Sequence, residues 1–204
     1  MKELYTIGHS THTIDNFVDL LLMYKITAVC DVRSAPYSRF NPQFNREPLQ
    51  AELKRHRLPY VFLGKELGPR SNDPGCYEKG KVQYDRLAET MSFQAGLKRV
   101  KEGMQSYRIA LMCSEKDPVM CHRTILICRH LRKEGMRIRH ILEDGSVEEN
   151  DAAIWRLREL LNLPERDLFT SPEEMVERAY DIQGDRIAFV QKAGKISSES
   201  RKEP

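Results

Sequence analysis

Short apolar runs alternate with amphipathic stretches along this chain. Leu4 to Ile7 is the first run and stops at Gly8. Ile14, Phe17, Val18, Leu21 and Leu22 then recur at helical spacing, predicting a helix over Ile14–Met23. Thr13 stands where its hydroxyl can take up an orphan backbone N–H of the first turn. Thr27 to Cys30 predicts a second strand, running into the polar Asp31-Val32-Arg33. A helix is expected over Pro48–Arg57, with Pro48 at its first position, where a missing N–H does no harm. Tyr60 to Leu63 reads as a third strand, ending at Gly64. Gly64, Gly68, Pro69, Pro74, Gly75 and Gly80 mark the stretch from Gly64 to Val82 as a long irregular loop, a kind that is often functional. Beyond it the pattern predicts a helix over Tyr84–Lys101, a strand over Arg108–Cys113, and a helix over Pro118–Lys133 that stops before Gly135. A fifth strand over Arg137–Leu142 leads to a turn at Asp144-Gly145. Asn150–Leu163 and Pro172–Tyr180 read as two further helices.

Strands separated by helices favour parallel pairing with helices on both faces. The expected fold is therefore α/β: an open, mostly parallel, Rossmann-like sheet of about five strands, with extra C-terminal helices packed on it. Residues 1–190 read as a single domain. Residues 191–204 read as a disordered tail, rich in Ser, Lys and Glu with few apolar anchors. With 204 residues the chain can bury a core of its own. No apolar run reaches the ~18 residues of a membrane span, and no signal peptide is evident, so no membrane association is expected. The five cysteines, Cys30, Cys76, Cys113, Cys121 and Cys128, are an odd number. Free thiols in the reducing cytoplasm are the natural reading. The formal net charge of +3 does not by itself argue for nucleic acid.

Open α/β sheets bind ligands beyond the carboxyl ends of their strands, so the residues delivered there matter most. The first strand delivers His9 and Ser10. The second delivers Asp31, Arg33, Ser34, Ser38 and Arg39, and the third Lys65, Glu66 and Arg70. The fourth delivers Cys113, Ser114, Glu115, Lys116 and Asp117, followed by Cys121, His122 and Arg123. His9 is a candidate general acid or base, or a histidine bonded to a neighbouring loop. Asp31 and Arg33 are an organising ion pair, or an acid and a phosphate ligand. Glu115 is the candidate carboxylate base, or a solvated loop residue. Cys121 at a helix start is a candidate thiolate, and Cys113 is either a second one or a small core residue. Arg33, Lys116 and Arg123 are candidate anion clamps, helped by the unpaired N–H groups of the helix start.

Arg123 follows Cys113 by ten positions, too far for a phosphatase loop. Cys121 and His122, adjacent on an expected helix, do not make an obvious zinc pair; a metal held by His9 and a cysteine is the alternative considered. No metal is assigned, and the cofactor is left unknown. Between Tyr37 and Arg46, aromatics and arginines interleave, which suits either stacking on nucleic-acid bases or packing of Phe40 and Phe44 onto the domain. Lys54-Arg55-His56-Arg57 and the basic residues from Arg129 to Arg139 read as solvated faces. Trp155 reads as core.

Taken together, Thr6-Ile7-Gly8-His9-Ser10, Asp31-Val32-Arg33 with Pro36 and Ser38, Gly64-Lys65-Glu66-Leu67-Gly68, and Cys113-Ser114-Glu115-Lys116-Asp117-Pro118 with Cys121-His122-Arg123 resemble the family called domain of unknown function 488. The resemblance spans about residues 3 to 145. It departs at Pro69, where the family pattern has a second glycine. It implies the α/β fold and a polar site at His9, Asp31, Arg33, Glu115, Cys121, His122 and Arg123, and it suggests nucleic-acid modification or defence without assigning a reaction.

Two main function classes stay open. One is an enzyme acting on a nucleotide, nucleic acid or other anionic, phosphate-bearing substrate, with His9, Glu115 and Cys121 carrying the chemistry. Ser10, Asp31, Arg33, Lys116, His122 and Arg123 would hold the substrate, and Cys121 would be the thiol alkylated first. The other is a non-catalytic module that binds nucleic acid, or a protein partner through the C-terminal helices.

Overall fold

A computed structural model of the chain describes residues 3–164 and 170–191. The tail expected at 191–204 lies, from residue 192 on, outside the described residues. Strands β1 (Glu3–Gly8), β2 (Ala28–Asp31), β3 (Tyr60–Phe62), β6 (Ile109–Cys113), β7 (Arg137–Ile141) and β8 (Val147–Glu149) form one sheet in the order β3-β2-β6-β1-β7-β8. Every pairing is parallel except that of β7 with β8. Within this sheet, β8 is the strand the sequence pattern missed. It is three residues long and half-buried, and the Gly145 turn folds it back antiparallel on β7, pairing Ile141 with Val147.

Alternation along the strands splits the core in two. Tyr5, Ile7, Val29, Ala110, Met112 and Ile141 face α1 (Ile14–Met23) and α2 (Arg46–Arg55). Leu4, Ala28, Cys30, Ile109, Leu111 and Cys113 face the opposite layer. That layer contains α3 (Gly64–Leu67), α4 (Tyr84–Glu89), α5 (Met91–Gly103), a π-helical stretch (Arg123–Cys128) continuing into α6 (Arg129–Lys133), α7 (Asn150–Leu160) and α8 (Pro172–Ile187). Thr13 caps α1 as expected, accepting the Asn16 N–H. The chain enters β1 between its two halves: β2 and β3 lie to one side, β7 and β8 to the other, with β6 returning beside β1. This reversal of strand order is where open α/β sheets leave a crevice.

Several boundaries differ from the sequence reading. The second helix begins at Arg46, so Pro48 sits at its third position, still within the turn whose N–H groups have no intrahelical partner. Gly64–Val82 is not wholly irregular: it holds α3, a 3₁₀ turn (Pro74–Cys76) and a small hairpin of β4 (Tyr77–Glu78) and β5 (Lys81–Val82). The expected helix over Tyr84–Lys101 is broken at Thr90, whose hydroxyl caps α5 by accepting the Phe93 N–H. The expected helix over Pro118–Lys133 is a 3₁₀ turn (Pro118–Met120), then extended backbone at Cys121 (φ −133°, ψ 140°), then the π-helical stretch. The helix begun at Pro172 runs on to Ile187, started by a capping box between Ser171 and Glu174. Trp155 is half-exposed, with the Arg158 guanidinium 4.5 Å above its ring, rather than core.

Of the basic residues from Arg129 to Arg139, Lys133 and Arg137 are exposed, as expected, while Arg129 and Arg132 are largely covered ties to α8. Arg129, Arg132 and Lys133 pair with Glu173, Glu177 and Asp181 of α8. Past α8, Val82 N–H bonds to Phe189 O, and Gln191 N–H to Gly80 O, so the segment leaving α8 lies along the small hairpin.

Gly8 explains itself by contact. A Cβ there would sit 1.9 Å from the Glu115 carbonyl oxygen. The close approach lets His9 N–H reach Cys113 O and Ser10 N–H reach Ser114 O, extending the β1–β6 ladder past the sheet. Gly8→Ala should therefore destabilise the fold by about 1–3 kcal/mol or more, because two backbone segments must separate. Urea unfolding measures this, and an unchanged midpoint would refute the packing argument.

Candidate functional site

The β2, β6 and Cys121 segments meet at a cleft of about 240 Å³. It is lined by Arg33, Ser34, Arg70, Tyr84, Met120 and Ile187, and by the run Cys113-Ser114-Glu115 with Cys121 and His122. Of the residues singled out from the sequence, the fold thus brings Arg33, Ser34, Arg70, Cys113, Ser114, Glu115, Cys121 and His122 to the cleft. It does not bring His9, Ser10, Asp31, Lys116 or Arg123 into its wall.

The floor of the cleft is a cysteine–histidine cluster. The donor atoms of Cys113, Cys121 and His122 all lie within 4.8 Å of one another. His122 Nδ1 is 3.6 Å from Cys113 Sγ and 3.8 Å from Cys121 Sγ. His122 Nε2 donates to Val32 O at 3.0 Å, which turns Nδ1 towards both sulfurs. The adjacency of Cys121 and His122 does not keep them apart, because Cys121 is extended and only His122 enters the helical turn. A hydrogen bond from the Cys121 thiol holds Cys113 well below the usual thiol range against the opposing effect of burial, with His122 and Arg123 assisting. Cys121 is pushed up, first by burial and then by its neighbour Cys113. Cys113 and Cys121 thus titrate as a coupled pair. Burial pushes Cys30 and Cys128, away from the cleft, up to about 12.

Beneath the cluster, Arg123 is fully buried. Its Nε donates to Thr6 Oγ1 at 3.3 Å, and its terminal nitrogens donate to Glu115 O at 2.6 Å and Lys116 O at 3.2 Å. The guanidinium grips the loop after β6 from inside instead of clamping an anion at the surface. Thr6 in turn is 2.8 Å from His140 Nδ1, and His140 Nε2 is 3.2 Å from Asn150 Oδ1. The polar chain thus runs from α7 to the cleft loop. His140 is driven down to about 3, first by burial and then by Arg123.

A second buried network sets the β2 wall. Arg33 Nε and a terminal nitrogen reach the two carboxylate oxygens of Asp31 at 2.9 and 2.6 Å. Tyr60 OH donates to the same carboxylate at 2.8 Å, and Arg33 also donates to Phe44 O. The ion-pair reading of Asp31 and Arg33 thus describes the geometry, and most of the guanidinium is already committed. His9 Nε2 lies 3.2 Å from an Arg33 terminal nitrogen, while His9 Nδ1 contacts Ser10 O at 3.1 Å. The ring stacks on Phe44 at 4.4 Å. Burial first and Arg33 second lower His9 to about 4, which leaves the ring uncharged at neutral pH, with Nε2 able to accept from Arg33. Phe44 is buried in this stack and is closed to nucleic-acid bases, whereas Phe40 is 77% exposed beneath Arg39.

Around the rim, Lys116 is exposed and pairs with Glu143 at 2.8 Å, away from the cleft. Ser10 is half-buried in left-handed backbone (φ 44°) on that same side. The exposed cation the cleft does carry is Arg70, which stacks on Phe189 at 4.2 Å. Sequence patterning did not single out Tyr84 and Ile187 as site residues. Both sit on helices whose apolar spacing marks core, and only the tertiary path of α8 brings Ile187 to the wall. Gln183 fastens that path, donating to Val119 O at 2.9 Å.

A parallel-sheet protein with a thiol–imidazole cluster in its switch-point crevice belongs to the doubly wound α/β class that places ligands beyond its strand ends. The family model described as Domain of unknown function DUF488 matches residues 13–129, more than half of the chain, and the protein belongs to that family. The match is shorter than the resemblance read from the motifs, beginning after His9 and ending at Arg129. No curated protein and no solved structure matches the chain. Among the described residues, no helix is long and apolar enough to cross a membrane.

Two outcomes follow from the buried networks. Asp31→Asn leaves Arg33 buried without its countercharge and should cost about 3–5 kcal/mol. A loss below about 1 kcal/mol in urea unfolding would show that the pair is not desolvated as described. His140 binds its proton in the unfolded chain near pH 6.5 but in the fold only near pH 3. The unfolded state therefore takes up the proton first on acidification. Stability should be unaffected by this group above pH 6.5 and fall as the pH drops from 6.5 towards 3. His140→Gln should flatten that part of the stability–pH profile, and an unaltered slope would count against the assignment.

Proposed function

We propose that this protein is an enzyme whose active site is the cleft over Cys113, Cys121 and His122, and that its substrate carries an anionic, phosphate-type group. The observation that carries this reading is the convergence of two thiols and an oriented imidazole on the floor of a crevice at the strand-order reversal. A purely structural core seldom opens such a set to a solvent-filled space. Arg70 at the rim supplies the charge that meets the anion, while Ser34, Ser114 and Tyr84 line the way to the floor. Glu115, exposed on the same wall, is the carboxylate placed to move a proton. Asp31, Arg33 and His9 hold the β2 wall in place, and Arg123 holds the Glu115 loop.

The alternative reading, a non-catalytic binder of nucleic acid, rests on the exposed Phe40 with Arg39. The two place their ligands in different parts of the molecule. A thermal-shift series with nucleotides, phosphate esters and short oligonucleotides separates them, since a ligand of the native state raises the melting temperature. Stabilisation by a phosphate-bearing small molecule that disappears in Arg70→Ala and persists in Phe40→Ala supports the enzyme reading. Stabilisation by oligonucleotides alone, lost in Phe40→Ala and falling steeply with salt, would replace it with the binding module.

A further inference from the structure

We infer that Cys113, Cys121 and His122 form a binding site for a thiophilic divalent cation of the zinc class, with its remaining coordination position open to the cleft. The inference deepens the enzyme reading above and rests on it only for the role of the open position.

The geometry comes first. With Zn–S of about 2.3 Å and Zn–N of about 2.0–2.1 Å, tetrahedral angles put sulfur and nitrogen about 3.5–3.6 Å apart. The His122 Nδ1 to sulfur separations are 3.6 and 3.8 Å. One ring lone pair can accept a proton from only one thiol, yet both sulfurs are drawn up to it. A cation at the common centre serves all three donors at once.

The surroundings agree. A ligating histidine usually donates its other ring N–H to a fixed acceptor, which sets tautomer and ring orientation. Val32 O, on the strand-end segment of β2, does this for His122. Two sulfurs with one imidazole select zinc-like ions over magnesium or calcium, which prefer oxygen. Three protein ligands also leave room for a fourth, the pattern of catalytic rather than structural sites. All three residues line the cleft, so the free position faces the space where a substrate would enter. A water bound there would have a lowered pKa, with Glu115 on the adjoining wall to take its proton.

The test uses the full chain, reduced and stripped with chelator, then titrated with cobalt(II) and afterwards with zinc(II). About one equivalent of cobalt should bind, with a thiolate-to-cobalt charge-transfer absorption that zinc abolishes. Metal should also protect Cys113 and Cys121 from alkylation, read by peptide mass spectrometry in the unaltered chain, which does not depend on any variant folding. Cys113→Ser and His122→Asn should lose the absorption, and Met120→Ala, a cleft residue without a ligand role, should keep it. Absence of saturable cobalt binding would overturn the proposal. So would an absorption that survives in Cys113→Ser, or a Cys113–Cys121 disulfide forming equally fast with and without metal. If metal binding fails while the Arg70-dependent ligand stabilisation remains, the metal is removed and the enzyme reading stands without it.

Discussion

Burial of the Arg123 guanidinium is the constraint around which the cleft end of the sheet is arranged. A full positive charge at the carboxyl ends of the central strands is tolerable only if its N–H groups are met, and the backbone carbonyls of Glu115 and Lys116 meet them together with Thr6. Those carbonyls belong to the loop that carries Cys113 into Glu115, so the requirement of the charge is also what shapes the loop. Gly8 follows from the same demand, because the Glu115 carbonyl approaches β1 at a distance no side chain permits. The thiol of Cys113 and the helix start at His122 are then opposite ends of one short, internally braced segment.

Much of the fold is legible in the chain because the periodicities are local. Leu4–Ile7 and Ile109–Cys113 are uninterrupted apolar runs suited to strands covered on both sides, and Ile14–Met23 carries both its apolar spacing and its Thr13 cap. The misreadings have equally local causes. Thr90 looks like an ordinary helix residue until its hydroxyl is seen to start a new helix. The Val147–Glu149 strand is too short and too polar to register. At Cys121 the extended backbone interrupts an apparently continuous helix, and no periodicity reports a single residue.

The site was legible by residue type and not by role. His9, Asp31, Arg33 and Arg123 are polar residues at strand ends, which is where ligands are met and equally where buried scaffolding begins. What separates the two is direction. Arg33 turns to Asp31 and Phe44, Arg123 to the loop carbonyls, and His9 to Arg33 and Phe44. Cys113 presented the reverse difficulty: a cysteine closing an apolar strand resembles core, and only the proximity of His122 distinguishes it.

The wall contributed by Ile187 has a further meaning. The cysteine–histidine floor lies within the residues that match the family, whereas this wall comes from α8, beyond them. A chain with the same floor and a different final helix would present the same three side chains to molecules of another shape. The shape of the entrance can thus change through a part of the polypeptide that contributes none of the floor's sulfur or nitrogen donors.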